Sequence, residues 1–426
     1  MVQEKMNADL KKTLDEIGFN AKKASSVLNN ASAHQKNSFF DFAITAIQQD
    51  AESILDANKL AVEQATENNK DTAFVDRLAL DQKRLDGICK TLEEIKLFED
   101  PVGKVLASWD RPNGLNISRV ATPLGVIGLI FESRPNVAAD AGGLCLKSGN
   151  AVILRSGKDG LRSASAIVAS LQKALVSCRL PKECIQIVPS ESREAATMML
   201  EGINGSIDVI VPRGGKSLVA EVEKSAKVPV FGHLEGICHV YVDQDADQEK
   251  GLSVCINAKM RRTGICGAAE TILVHENIAA SFVPKLISAL SDLDCEIRCC
   301  KNTLAFDKRA LPATEEDWST EYLSAIVSIK SVADTMEAVK HIASFGTGHT
   351  ESIISENKIT QSEFTDAVDS AIVMINASTQ FADGGEFGLG GEIGIATGKF
   401  HARGPVGVDQ LTSFKYIVTG DGHIRG

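Results

Sequence analysis

From Leu124 to Val242 one pattern recurs and dictates the architecture: a short apolar run, then glycine or another small residue, then a helical stretch. The runs are GVIGLIF, NAVILR, IQIVP, DVIVP and VPVF; the stretches between them include SASAIVASLQKALVS and SREAATMMLEGI. A strand with one face in water alternates polar and apolar residues. These runs do not alternate, so both faces must be covered. Helices interleaved with such strands build a parallel sheet, whose ligands sit beyond the carboxyl ends of the strands. A second α/β region runs from about Asp243 to Asp369, with ETILVH, AIVSIK and AIVMIN as its strands.

Residues 1 to about 100 read instead as helices. Apolar residues recur at three- and four-residue intervals through FFDFAITAIQQDAESIL and RLDGICKTLEEIKLF, and Pro101 stops the pattern. Between Val105 and Pro123 the turn signal RPNGLN separates two strand-like segments, an extended hairpin. A two-stranded arm is marginal alone, so this one leans on another subunit or domain. The late segment LTSFKYIVTG has strand character and is available to pair with it. A chain of 426 residues is expected to form two or three domains.

Charge and cysteine usage remove several function classes. The formal charge is −11, from 45 basic and 56 acidic residues, with no basic stripe of the kind that nucleic-acid backbones require. The start, MVQEKMNADLKKTLDE, has no apolar leader core, and stretches such as Leu124 to Phe131 are far too short to span a bilayer. A soluble, cytoplasmic protein is expected, with neither nucleic acid nor membrane as a partner. The ten cysteines form no CxxC pair, no Cys/His spacing suggests zinc, and no metal is expected; in the cytosol the thiols stay reduced. A serine hydrolase would show a GxSxG elbow, which is absent.

Three junctions carry candidate chemistry. In DVIVPRGGKSLVAEV the turn Arg213, Gly214, Gly215, Lys216 joins a strand to a helix. Glycines admit a ligand close to the backbone and a helix start attracts phosphate, though two glycines also serve a plain tight turn. In NAVILRSGKDG, Arg155 and Lys158 stand at the place where a carboxylate would clamp ribose hydroxyls. Cations there suit a 2′-phosphate, so NADPH is favoured over NADH, and solvated surface charge is the bland reading. In NAKMRRTGICGAAETILVH, Cys266 lies between Gly264 and Gly267, in a loop expected to lead into a helix and strand. A helix start or Arg261 and Arg262 would lower its pKa, and such a thiolate attacks acyl carbons. A buried, inert thiol remains the other reading.

Taken in order, PLGVIGLIFESRPNVAADAGGLCLKSGNAVILR, DVIVPRGGK, GICHVYVD, NAKMRRTGICGAAETILVH, WSTEYLSAIVSIK, NAST and FADGGEFGLGGEIGIATGKFHARGPVG resemble the gamma-glutamyl phosphate reductases, a family within the aldehyde dehydrogenase superfamily. The resemblance runs from about Pro101 to the C terminus. It implies an aldehyde dehydrogenase-like α/β fold. A Rossmann-like cofactor domain is expected over 1–104 and 123–242, a catalytic domain over 243–369, a β oligomerisation arm over 105–122 and 395–426, and a return to the cofactor domain over 370–394. It further implies NADPH-dependent reduction of an acyl phosphate to glutamate 5-semialdehyde and phosphate in proline biosynthesis.

By that likeness Cys266 is the nucleophile and Asn136 the oxyanion donor. Arg155, Ser156, Lys158, Arg213, Gly214, Gly215 and Lys216 hold NADPH, and Glu321 holds the nicotinamide ribose. Where hydrolytic relatives carry an activating glutamate, GHLEGICHV places His233, with Glu235 displaced by two residues. Many members have Arg in NASTRF; here Gln380 stands, and Arg134, Arg262 and Arg403 become candidates for the substrate carboxylate. A homo-oligomer, dimer or tetramer, and a transient contact with glutamate 5-kinase are implied as partners. The rivals are an oxidative semialdehyde dehydrogenase, a thiol hydrolase or acyltransferase, and a non-enzymatic binding protein.

Overall fold

The computed structural model describes residues 2–389 and 391–425. The chain forms two compact units, one of residues 1–232, 389–394 and 406–426 and the other of residues 233–388 and 395–405.

The first unit opens with the helices Val2–Leu28, Ala33–Gln49, Ala51–Glu67, Thr72–Leu78 and Gln82–Lys96. Side chains set their starts: Ser32 accepts the Gln35 N–H while Gln35 reaches back to the Ser32 N–H, and Asp71 and Asp81 accept the N–H groups of Phe74 and Arg84 at 2.7 Å. Buried Asn58 fixes the bend between the last two helices, donating to the Leu78 carbonyl at 2.8 Å and accepting the Leu80 N–H at 2.6 Å.

The sheet of this unit has four parallel strands in the order Ile185–Ile187, Ala151–Ser156, Val126–Phe131, Val209–Arg213. Every residue of Val126–Phe131 is buried, as its lack of alternation requires. VPVF, expected as a further strand, touches the sheet only through a bridge between Val230 and Ile210. Pro229 lacks the N–H that a ladder needs there, so it serves only as acceptor for the Ile210 N–H.

The hairpin Val105–Asp110 with Asn116–Pro123 is present. The late strand Thr412–Thr419 pairs antiparallel with Asn116–Pro123 along its whole length. In this three-stranded sheet the outer strands are largely exposed, and Trp109, Phe414 and Tyr416 stack edge to face on it.

The second unit is built on seven parallel strands in the order Leu311–Pro312, Glu296–Cys299, Ile326–Val332, Ala269–His275, Cys238–Val242, Thr350–Ile354, Ile372–Ile375. Thr350–Ile354 had no apolar signature, because Thr350, Glu351 and Ser352 are polar and yet buried. Each has a partner inside: Thr350 Oγ1 lies 2.8 Å from His349 Nδ1, Glu351 accepts the His239 N–H at 2.8 Å and Ser352 donates to the Ala377 carbonyl at 2.7 Å. Among the described residues no helix is long and apolar enough to cross a membrane, and all ten cysteines are free.

Candidate active site

Three neighbouring strands of the second unit, Cys238–Val242, Ala269–His275 and Thr350–Ile354, run parallel, and their amino ends lie side by side. Cys266 stands three residues before Ala269–His275, half-buried. The helix Gln248–Met260 precedes its loop and the strand follows directly. The helix start expected after the cysteine is therefore absent. The end that adjoins the loop is a C terminus, which favours cations rather than a thiolate.

The loop is held by close packing. A Cβ on Gly236 would fall 2.1 Å from the Cys266 carbonyl oxygen, and one on Gly267 would fall 3.0 Å from the Thr379 carbonyl oxygen. The Cys238 thiol donates to the Cys266 carbonyl at 3.1 Å. Gly264, by contrast, has room: a Cβ there would make only an ordinary contact, 3.9 Å from the Leu323 carbonyl oxygen.

Two imidazoles approach the thiol. One ring nitrogen each from His233 and His349 and the Cys266 sulfur lie within 4.8 Å of one another. His233 Nδ1 is 2.7 Å from the Ile395 carbonyl oxygen. A carbonyl only accepts, so Nδ1 carries a proton; in the neutral form of the ring the lone pair then sits at Nε2. His349 is fully buried; loss of solvent first, and repulsion from a proton on His233 second, push its pKa down to about 3 and keep it neutral. Its Nδ1 lies 2.8 Å from Thr350 Oγ1 and 3.6 Å from Cys238 Sγ. Of this pair the sequence motifs single out only His233 and not His349, since only strand pairing brings residues 233, 266 and 349 together.

Glu321 accepts the Gly236 N–H at 2.9 Å, which ties its carboxylate to the tract beside the thiol. Behind it Glu270 and Lys259 form a buried ion pair at 2.5 Å. Burial raises the Glu270 pKa to about 7 against the pull of Lys259. Gln380 is buried and donates through Nε2 to the Ala258 and Arg262 carbonyls at 2.8 and 3.2 Å, bracing the segment that leads to Cys266. The Arg262 side chain is exposed. Arg403 is committed elsewhere, donating to the Asp369 carboxylate, the Asp369 carbonyl and the Thr397 carbonyl.

In the first unit the candidates gather at carboxyl ends of strands. Arg155 is half-buried near the end of Ala151–Ser156. It donates through Nη2 to the Ser192 carbonyl at 3.3 Å, while its Nε is buried without a partner. Ser156 is buried and donates to the Glu132 carbonyl, and exposed Lys158 lies 3.8 Å from Glu191. Arg213 closes its strand, and the helix Lys216–Ser225 starts after Gly214 and Gly215. Here Glu132 fills the turn: it accepts the Gly215 N–H at 3.0 Å, and a Cβ on Gly214 would meet its carboxyl group at 2.8 Å. An unpaired guanidinium nitrogen, a helix start preceded by two residues without side chains and a cluster of cations suit an anionic nucleotide.

Arg134 and Asn136 occupy the loop after Val126–Phe131. Asn136 Nδ2 donates to Asp140 at 2.8 Å, which aims its carboxamide and leaves a second N–H.

A sheet of this topology carrying a glycine-clamped thiol defines a class. The aldehyde dehydrogenase family model matches residues 2–300, and the chain belongs to that family. Within it the relatives are specific. Gamma-glutamyl phosphate reductase of Parvibaculum lavamentivorans is 53% identical over 423 residues, 99% of this chain and 100% of the relative. That of Brucella suis biovar 1 is 54% identical over 421 residues, again covering 99% and 100%. The crystal structure of gamma-glutamyl phosphate reductase from Thermotoga maritima has a TM-score of 0.95 at 42% identity, covering 97% of this chain and 100% of that one.

Proposed function

We propose that the protein reduces gamma-glutamyl phosphate with NADPH, giving glutamate 5-semialdehyde and phosphate, a step of proline biosynthesis. The relatives named above support the substrate. The observation that carries the mechanism is the half-buried Cys266 thiol, clamped by Gly236 and lying within 4.8 Å of the His233 and His349 ring nitrogens.

His233 Nε2 takes the thiol proton, and the Cys266 thiolate attacks the acyl carbon. A carbon–sulfur bond forms, the bond to the phosphate oxygen breaks and phosphate leaves with the electron pair. Asn136 donates its second N–H to the oxygen on which charge develops. The nicotinamide, when bound, supplies hydride. Hydride addition leaves the adduct oxygen as an alkoxide. Its collapse re-forms the carbonyl, breaks the carbon–sulfur bond and frees the aldehyde, and protonated His233 returns its proton to the departing Cys266 thiolate. Arg155, Ser156 and Lys158 hold the adenosine end, with a 2′-phosphate favoured by the cations. Arg213 to Lys216 receive the diphosphate after Glu132 yields the Gly215 N–H, and Glu321 serves the nicotinamide ribose.

The first unit thus acts as the cofactor domain and the second as the catalytic one. The exposed three-stranded sheet serves as the contact between subunits of a homo-oligomer, with free thiols suiting a cytoplasmic setting.

The test is phosphate dependence. With glutamate semialdehyde and NADP, the purified protein should form NADPH only when inorganic phosphate is supplied. Equal rates without phosphate would mean that water resolves the thioester, and the reductive reading would fall.

A further inference from the structure

A cavity of about 360 Å³ lies within the first unit, inside the size range of small-molecule sites. One wall is Arg134, Pro135, Asn136 and Asp140; the other comes from the helices Thr72–Leu78 and Gln82–Lys96 and the bend between them. The charged groups on it do not all remain available. Arg84 donates to the Asp76 carboxylate at 2.6 Å and to the Ala79 carbonyl at 2.8 Å, so that pair neutralises itself and braces the bend. Arg77 makes no hydrogen bond or ion pair among the described residues, although its helix is fixed by Asp71 and Asn58. Asp140 holds Asn136 through one oxygen, and loss of solvent raises its pKa to about 6 even with Arg213 nearby. A carboxylate in that position gains from a second cation.

Arg77 and Asp140, with Arg134 on the wall facing Arg77, have a counterpart in the proposed substrate. Gamma-glutamyl phosphate carries an α-carboxylate and an α-ammonium on a carbon three bonds from the acyl carbon, and Asn136, the donor assigned to the acyl oxygen, lines this same cavity. Resting on that assignment, we propose that the cavity is the subsite for the α-amino acid end. Arg77 receives the α-carboxylate and Asp140 the α-ammonium. Selection for an amino acid over a plain aldehyde then resides in the N-terminal helices, well away in sequence from the thiol.

Three aldehydes test this in the phosphate- and NADP-dependent direction: glutamate 5-semialdehyde, 5-oxopentanoate, which lacks the amino group, and 4-aminobutanal, which lacks the carboxylate. Arg77→Gln should raise KM about tenfold for the two carboxylates, the size of one charge-assisted hydrogen bond, and spare 4-aminobutanal. Arg77→Lys should recover part of the loss. Asp140→Asn keeps an oxygen that can accept from Asn136, so any change in kcat should be common to all three probes, while KM should rise for the two amines relative to 5-oxopentanoate. Equal losses on all three probes, or none, would overturn the subsite. If the unaltered protein makes no NADPH from any of them with phosphate present, the proposed reaction itself fails, whatever the cavity does.

Discussion

The two parallel sheets use opposite ends. In the first unit the candidate nucleotide groups, Arg155, Ser156 and Arg213, stand at carboxyl ends of strands, where an open α/β sheet ordinarily binds its ligand. In the second the thiol and both imidazoles stand at the amino ends of three adjacent strands. The local construction differs as well. The nucleotide turn is loose, open to solvent and filled by Glu132, a side chain that can swing away. The thiol loop is held backbone against backbone, with no room at Gly236 for even a methyl group. Binding an anion tolerates adjustment, whereas placing a nucleophile against an acyl carbon does not.

That contrast can be broken from either side. Cys266→Ala should cost the most, on the order of 10⁴-fold or more in turnover, with NADPH affinity kept by fluorescence titration. A variant that still turns over would remove the thiol from the chemistry. Gly236→Ala comes next: its methyl group must displace the Cys266 carbonyl, and a shift of about 1 Å costs roughly 10²-fold in kcat. Gly264→Ala, whose methyl group would come no nearer than 3.9 Å to the Leu323 carbonyl oxygen, should stay close to the parent in the same assay. If both alanines behave alike, rigidity around the thiol is not what matters.

Arg155→Gln should act more gently and elsewhere, narrowing the preference for NADPH over NADH by about tenfold while sparing kcat. An unchanged ratio would move the 2′-phosphate to other residues.

The smallest effect concerns pH and stability. His341 and His349 are held neutral by burial, each with a pKa pushed from 6.5 down to about 3. An unfolded chain would take up protons on both below about 6.5, so stability is complete above that pH and drains away as the pH falls toward 3. Melting curves between pH 7 and 4 should show the decline, at roughly 2–4 °C for each kcal/mol lost. His349→Asn should make it shallower.

How much of this was legible depended on what each residue had to announce. The strands of the first sheet read directly because both faces are covered by apolar side chains. Thr350–Ile354 did not, since Glu351 and Ser352 buy their burial with hydrogen bonds that composition cannot show. Cys266 was marked by its flanking glycines and the strand ETILVH follows as expected, but the helix expected between them is absent. Gly236, Cys238 and His349 were invisible as a site because they meet only through the pairing of strands far apart in sequence. The cavity beside Asn136 was hidden for the same reason: Arg77 is one exposed arginine among many until Asn58 folds its helix toward the loop that carries Arg134.

The three-stranded sheet has a consequence for handling the protein. Strands Val105–Asp110 and Thr412–Thr419 are its outer members, and they leave Val105, Trp109, Tyr416 and Val418 in water beside main-chain edges that invite another strand. In the proposed homo-oligomer, where a second subunit covers this rim, part of the protein's heat tolerance depends on its concentration. Dilution alone should then lower its melting temperature, with no change in sequence, buffer or ligand.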